Sequence, residues 1–241
     1  MKKNSLLLLL LLSVLFGNTQ VQVEKNEELG EIIRLAGAAQ DIPYVTAELT
    51  TIVGDSANWG RPGIDQDTVG GVYKQADGRI WARMGNVEYV QGFSYNLVLF
   101  HGDSVVTINK ATPTNFGLQL NLLDSTFLQA HVQGMAILEY PDGRRVFKLN
   151  FYPQSLYSGY EMTYNKSTYK VESVIYYIKN GYANDDGVSS TAKIITTFYG
   201  YSLAPFDKNI LNEDNFIYKD GSVYKPRALY NGYKIITISL D

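Results

Sequence analysis

Only two histidines occur in the 241 residues, His101 beside Gly102-Asp103 and His131 near the end of a short apolar segment. A histidine base or a zinc site needs partners at a recognisable spacing, and there is no G-x-S-x-G elbow, H-E-x-x-H pair or Cys/His cluster. His101 therefore reads as a solvated turn residue and His131 as a helix-end residue. Glu48, Glu88, Glu139, Glu161 and Glu172 fall on strand-like runs. Paired carboxylates of that kind serve glycosidases, yet solvent-facing strand positions account for each of them. Asp65-Gln66-Asp67, Asn184-Asp185-Asp186-Gly187 and Asn212-Glu213-Asp214-Asn215 carry the oxygen ligands that Ca²⁺ takes. None follows the D-x-[DN]-x-[DN]-G spacing, so solvated turns explain all three. Cysteine is absent, which removes disulfides, thiolate catalysis, thiolate zinc sites and lipid attachment through an N-terminal Cys. Binding is the chemistry that remains: neither an enzyme nor a cofactor or metal protein is expected.

Tyrosine is the compositional outlier, with 19 residues, 15 of them from Tyr140 onward. Its apolar body and polar tip suit sheet faces, pocket rims and sugar-stacking surfaces alike. Two binding functions follow from it. A carrier of apolar chains would hide its aromatics in one concave groove. A module that binds glycan or protein would present Trp59, Trp81 or several Tyr on an open face. Charged residues make up 19% of the chain and the net charge is −3. That balance argues against the basic face that nucleic-acid phosphates or an anionic lipid surface would require.

Positioning such a site falls to a large antiparallel sheet. Lys2-Lys3, the apolar run Leu6 to Phe16 and small residues up to Thr19 read as a signal peptide over residues 1–19. The run of 11 residues is too short for a bilayer core of about 30 Å. Removing this segment takes two Lys and no acid, moving the net charge from −3 to −5. Residues 20–241 are then expected to form a single domain that is periplasmic or otherwise exported. Leu29, Ile32, Ile33, Ala36 and Ala39 repeat at helical spacing and predict an amphipathic helix that Pro43 ends. From Tyr44 the period changes to two. Val45, Ala47, Leu49 and Val53 alternate with more polar neighbours, and strand-like runs continue to the C-terminus with turn residues between them. Asp77-Gly78, Gly102-Asp103 and Pro141-Asp142-Gly143 are hairpin signals. Residues 115–131 predict one or two short helices. Ten to twelve strands must curl, split or close. The expected fold class is thus mostly β: a curled antiparallel sheet with the N-terminal amphipathic helix laid over its concave side.

The order of these elements resembles a known family, the periplasmic carriers of outer-membrane lipoproteins, or LolA-like proteins. The resemblance rests on the helix Glu28-Leu29-Gly30-Glu31-Ile32-Ile33-Arg34 directly before the strand Tyr44-Val45-Thr46-Ala47-Glu48-Leu49. It rests also on Gly78-Arg79-Ile80-Trp81-Ala82-Arg83-Met84-Gly85-Asn86, followed by the hairpin around Leu97 to Val106. In that family the corresponding strand runs Gly, two residues, Trp and then an Arg-Pro pair, whereas here Arg83 is followed by Met84. The resemblance implies an unclosed half-barrel, with the N-terminal amphipathic helix and the short helices as its lid, that carries lipid or lipoprotein acyl chains as a monomer and delivers them to an outer-membrane acceptor protein. It also implies that Arg83 tethers the lid from inside.

Taking Trp81 and Arg83 as inward gives a full set of expected groove residues. The wall comprises Leu49, Trp81, Leu97, Leu99, Phe147, Leu149, Phe151 and Ile175, and the helix contributes Leu29, Ile32, Ile33 and Ala36. A charge at Phe151 is then expected to abolish ligand binding while the chain still folds, because a groove wall keeps contact with water.

Overall fold

The computed structural model describes residues 21–22, 28, 30–31, 33–35, 37–38, 42–61, 66–111, 125–183 and 189–239. The expected signal peptide, residues 1–19, lies outside them. So do Leu29, Ile32 and Ala36 of the helix and residues 115–124 of the expected short helices. Helix α1 occupies described positions between 28 and 38, and α2 spans Ser125–His131.

Strand β1 is Val21–Gln22, β2 Val45–Asp55, β3 Asp67–Ala76, β4 Arg79–Met84, β5 Val87–Gln91, β6 Tyr95–Phe100 and β7 Val105–Lys110. After α2 come β8 Val132–Glu139, β9 Arg144–Phe151, β10 Tyr157–Asn165, β11 Val171–Ala183 and β12 Ser189–Ser202. These twelve and a terminal strand, β15 Lys234–Ser239, form one curled sheet that does not close. Its order is β1-β8-β9-β10-β11-β12-β2-β3-β4-β5-β6-β7-β15. A small hairpin, β13 Ile217–Asp220 and β14 Val223–Pro226, forms a separate two-stranded sheet packed on it.

Alternation in the sequence becomes burial. On β2, Val45, Ala47, Leu49 and Thr51 are buried while Glu48 is exposed. On β9, Phe147, Leu149 and Phe151 are buried and Lys148 turns to the other side. There Lys148 pairs with Glu161 of β10 at 3.1 Å. The expected Asp77-Gly78 turn forms with φ of 52° and 71°. Those left-handed values match the twist of the strands it joins, and they suit an Asp-Gly pair because Gly carries no Cβ.

The sheet buries apolar side chains on both faces. The concave face carries Leu49, Phe147, Leu149, Phe151, Tyr160, Met162 and Phe198, with Leu35 of α1 packed on it. Over β4–β7 the opposite face carries Trp81, Val90, Leu97, Leu99, Val106 and Ile108, covered by Leu211, Phe216 and Ile217 from the C-terminal segment. That segment makes two short 3₁₀ turns, Lys208–Leu211 and Glu213–Asn215, capped by the side chains of Asp207 and Asn212. The Glu213 carboxylate accepts from the Phe93 and Ser94 N–H groups at 3.1 and 2.9 Å. Gly92 permits this approach, since a Cβ there would lie 1.9 Å from the carboxylate. After crossing the outer face the chain returns as β15, which pairs with β7 in parallel and departs from the antiparallel rule of the other pairs.

Candidate functional site

A cavity of about 390 Å³ opens under the C-terminal end of α1 on the concave face. Ala38 of α1 and Ile42, in the link from α1 to β2, border it from above, and Val45, Tyr73, Gln75 and Phe198 form its buried end. The turn between β10 and β11 supplies Thr168, Tyr169 and Lys170, β11 supplies Val171, and Tyr201 and Leu203 complete the opening. Register explains why these meet: Val45 pairs with Gln75, Ala47 with Tyr73 and Leu49 with Phe198, so all six side chains stand on one face. The lining is mostly apolar with a few convergent polar groups, as small-molecule sites usually are. The Tyr73 hydroxyl donates to the Gln75 side-chain oxygen, and burial holds the Tyr73 phenol well above its usual value of 10.0. The Tyr201 hydroxyl donates to the Val171 carbonyl. Burial, aided by the Glu172 charge, pushes that phenol up as well.

Charge fastens α1 beside the cavity. Glu31, whose side chain is 1% exposed, accepts from Arg145 Nη1 of β9 at 2.7 Å and from the Tyr164 hydroxyl of β10 at 2.8 Å. Arg145 also donates to Glu139 at 2.9 and 3.1 Å, and Lys166 donates to the other oxygen of that carboxylate. These bonds, Lys166 first and Arg145 second, hold the Glu139 carboxyl below its usual 4.5. Burial and the bond to Glu31 raise the Tyr164 phenol. A buried carboxylate is retained here because its Oε1 meets a guanidinium and a phenol while its Oε2 lies 2.9 Å from Arg34 Nη2.

No protein-family profile matches the chain, and no curated protein does. Solved structures with a related fold do. They include an outer-membrane lipoprotein-sorting protein domain from Vibrio parahaemolyticus, 12% identical with a TM-score of 0.38, covering 79% of this chain and 98% of that one. A LolA superfamily protein from Nitrosomonas europaea is 11% identical at a TM-score of 0.27, over 76% and 97%. A DUF1329 family protein from Desulfovibrio piger is 9% identical at 0.39, over 78% and 97%.

The structure divides the expected groove residues between two faces. Leu49, Phe147, Leu149 and Phe151 share the concave face. Trp81, Leu97 and Leu99 do not: Trp81 pairs with Lys74 and Val90, and all three lie in the opposite core under the C-terminal segment. The inward neighbours are Ile80 and Ala82. Arg83 follows Trp81 to the outer side, where it is exposed, so it cannot reach α1; the residue that does is Arg145. Ile175 pairs with Glu161 and Ile195 on the outer face, one residue out of phase with inward Val174 and Tyr176. Ile33 is 57% exposed. It stands roughly 200° around α1 from Glu31, and the buried positions are Glu28, Glu31 and Leu35. Leu29, Ile32 and Ala36 lie outside the described residues.

Two inward residues carry a signal in the sequence. Val45, which lines the cavity, lies two and four residues before Ala47 and Leu49 on the same alternation. Arg145, which holds α1 beside it, continues the series Phe147, Leu149, Phe151 toward the strand's start. Tyr73, Phe198 and Lys170 required the pairing of strands far apart in sequence.

His101 is not a solvated turn residue. The Glu88 carboxylate accepts from His101 Nε2 at 2.9 Å and from the Trp81 indole N–H. His101 Nδ1 then accepts from the Tyr233 hydroxyl at 2.8 Å. Tyr230 stacks on Phe216 beside it, and burial together with the Glu88 charge pushes its phenol up to about 12. This network binds the C-terminal segment to the outer face. His131 ends α2 at an exposed position.

Proposed function

We propose that the chain is an exported, monomeric binder or carrier of lipid acyl chains, the apolar chain lying in the cavity between α1 and the concave face. The carrying observation is the cavity itself: about 390 Å³ bordered by Ile42, Val45, Phe198 and Val171, beside a helix held to the sheet by polar bonds. Space of that kind costs packing energy unless a ligand fills it. The proposal contains no chemical step. Residues 1–19 serve as the leader, and an outer-membrane acceptor takes the cargo. The placement of the aromatics also favours an interior ligand over a glycan on an open face. Trp81 is buried, Trp59 is half-buried under Lys193 at 4.8 Å, and Tyr160, Tyr164 and Tyr176 are inside the core.

The test is purification from the exported fraction, native mass spectrometry and extraction of copurified lipid. Val45→Phe fills the buried end of the cavity. The expected result is lipid bound to the unmodified protein and absent from Val45→Phe, with the melting temperature of the variant unchanged or raised. Lipid retained by a folded Val45→Phe would place the ligand elsewhere.

A further inference from the structure

The mouth of the cavity carries a fixed cation. Thr168 and Lys170 are exposed at the rim, while Val45, Tyr73 and Phe198 are buried at the far end. The turn that presents Lys170 is ordered by its own bonds. The Asn165 side chain accepts from the Ser167 and Thr168 N–H groups, each at 3.0 Å, and Tyr169 stacks on Tyr164 with ring centroids 6.2 Å apart. Lys170 Nζ stands 4.0 Å from the Tyr201 ring centroid, which holds it over the opening. Among the described residues no carboxylate lies within 4.0 Å of it. Lys166, four residues earlier, does have such a partner in Glu139.

Glu172 also acts on Tyr201 but forms no ion pair within 4.0 Å of Lys170, so the lysine remains the cation at the lip. An apolar cavity with such a lip suits a ligand with one apolar tail and one negative head. The volume suits a single tail: 390 Å³ is near the lower end of the range of roughly 300–1,000 Å³ for small-molecule pockets. We infer that the cavity takes a single-chain anionic amphiphile, its tail toward Val45 and Phe198 and its carboxylate or phosphate head on Lys170 and the Thr168 hydroxyl. This inference rests on the acyl-binding reading above and adds the head group and the number of chains.

Three probes separate the two. Palmitate has one chain and a charge, hexadecanol has the same chain without it, and dipalmitoylphosphatidylglycerol has two chains with a charge. Binding is measured by equilibrium dialysis with radiolabelled palmitate and hexadecanol, using the phospholipid as competitor. Palmitate is expected to bind more tightly than hexadecanol. Lys170→Gln, at an exposed position, should weaken palmitate by about fivefold, the upper end of what an exposed ion pair supplies. It should leave hexadecanol unchanged, and Lys170→Arg should restore palmitate. Equal binding of the two probes, equal losses for both in Lys170→Gln, or full competition by the two-chain lipid would overturn the head-group and chain-number assignment alone. If no probe binds the unmodified protein, the acyl-binding reading falls with it.

Discussion

Arg145 Nη1 of β9 lies 2.7 Å from Glu31 Oε1 of α1, joining the concave face of the sheet to the helix that covers it. The same guanidinium holds Glu139, so one side chain ties the helix, the β8 end and, through Lys166, the β10–β11 turn that borders the cavity.

Removing the guanidinium leaves Glu31 buried with the Tyr164 hydroxyl and the exposed Arg34 as its remaining partners. Arg145→Met is therefore expected to cost about 3 kcal/mol, the lower end of the penalty for breaking a buried pair. Glu31→Gln combined with Arg145→Met should cost less than the two single changes added together, because the double variant strands no charge. Urea unfolding of all three proteins checks this. Strict additivity would show that the two groups do not act together.

Acid should loosen the same region. The Glu139 carboxyl titrates below its usual 4.5 in the folded chain. Its contribution is thus fully present above that value and is lost as pH falls through the lower, folded value. Unfolding free energy should decline on acidification below about pH 4.5, and Glu139→Gln should flatten part of that decline. A series of denaturant melts from pH 7 to pH 3 measures the slope, and identical slopes in the two proteins would refute the assignment.

Phe151 lies away from the cavity and is 5% exposed, packed on Tyr157 with ring centroids 5.6 Å apart. The expectation that a charge there spares folding is therefore reversed. Phe151→Asp buries an unpaired carboxylate at a cost of several kcal/mol and should abolish the cooperative thermal transition. Lys148→Asp, facing Glu161 on the outer side, should cost less than about 1 kcal/mol and leave any copurified lipid in place. Circular dichroism melts distinguish the two variants.

The outer network makes a local prediction. Tyr233→Phe removes the hydroxyl that reaches His101 and should lower stability by about 1 kcal/mol. Faster amide exchange should be confined to the C-terminal segment, residues 206–233, and β15, with β8–β12 unchanged. Uniformly faster exchange would mean that the network supports the whole fold.

Strand content, the hairpin at Asp77-Gly78 and the helix before β2 were legible in the sequence, because each depends on local period and turn chemistry. The curl followed from the number of strands, and that the sheet stays open came from the family resemblance alone. The alternation of Phe147, Leu149 and Phe151 with Lys148 also came through, since Lys148 on one side of a strand marks the other side as inward. Which face of β4 points inward was obscured by Trp81. Ile80, Ala82 and Met84 share one side while Trp81 stands between Arg79 and Arg83 on the other, so alternation favours Ile80 as inward, whereas the resemblance placed Trp81 there. What no local pattern shows is that Trp81 has a second core on its own side. The choice was made by the C-terminal segment, which arrives from more than a hundred residues away, docks through Glu213 and Tyr233, and buries Trp81 beneath it. The cavity was settled in the same way. Val45, Tyr73, Lys170 and Phe198 are joined only by strand register and by the approach of α1, relations between distant segments that no local pattern encodes.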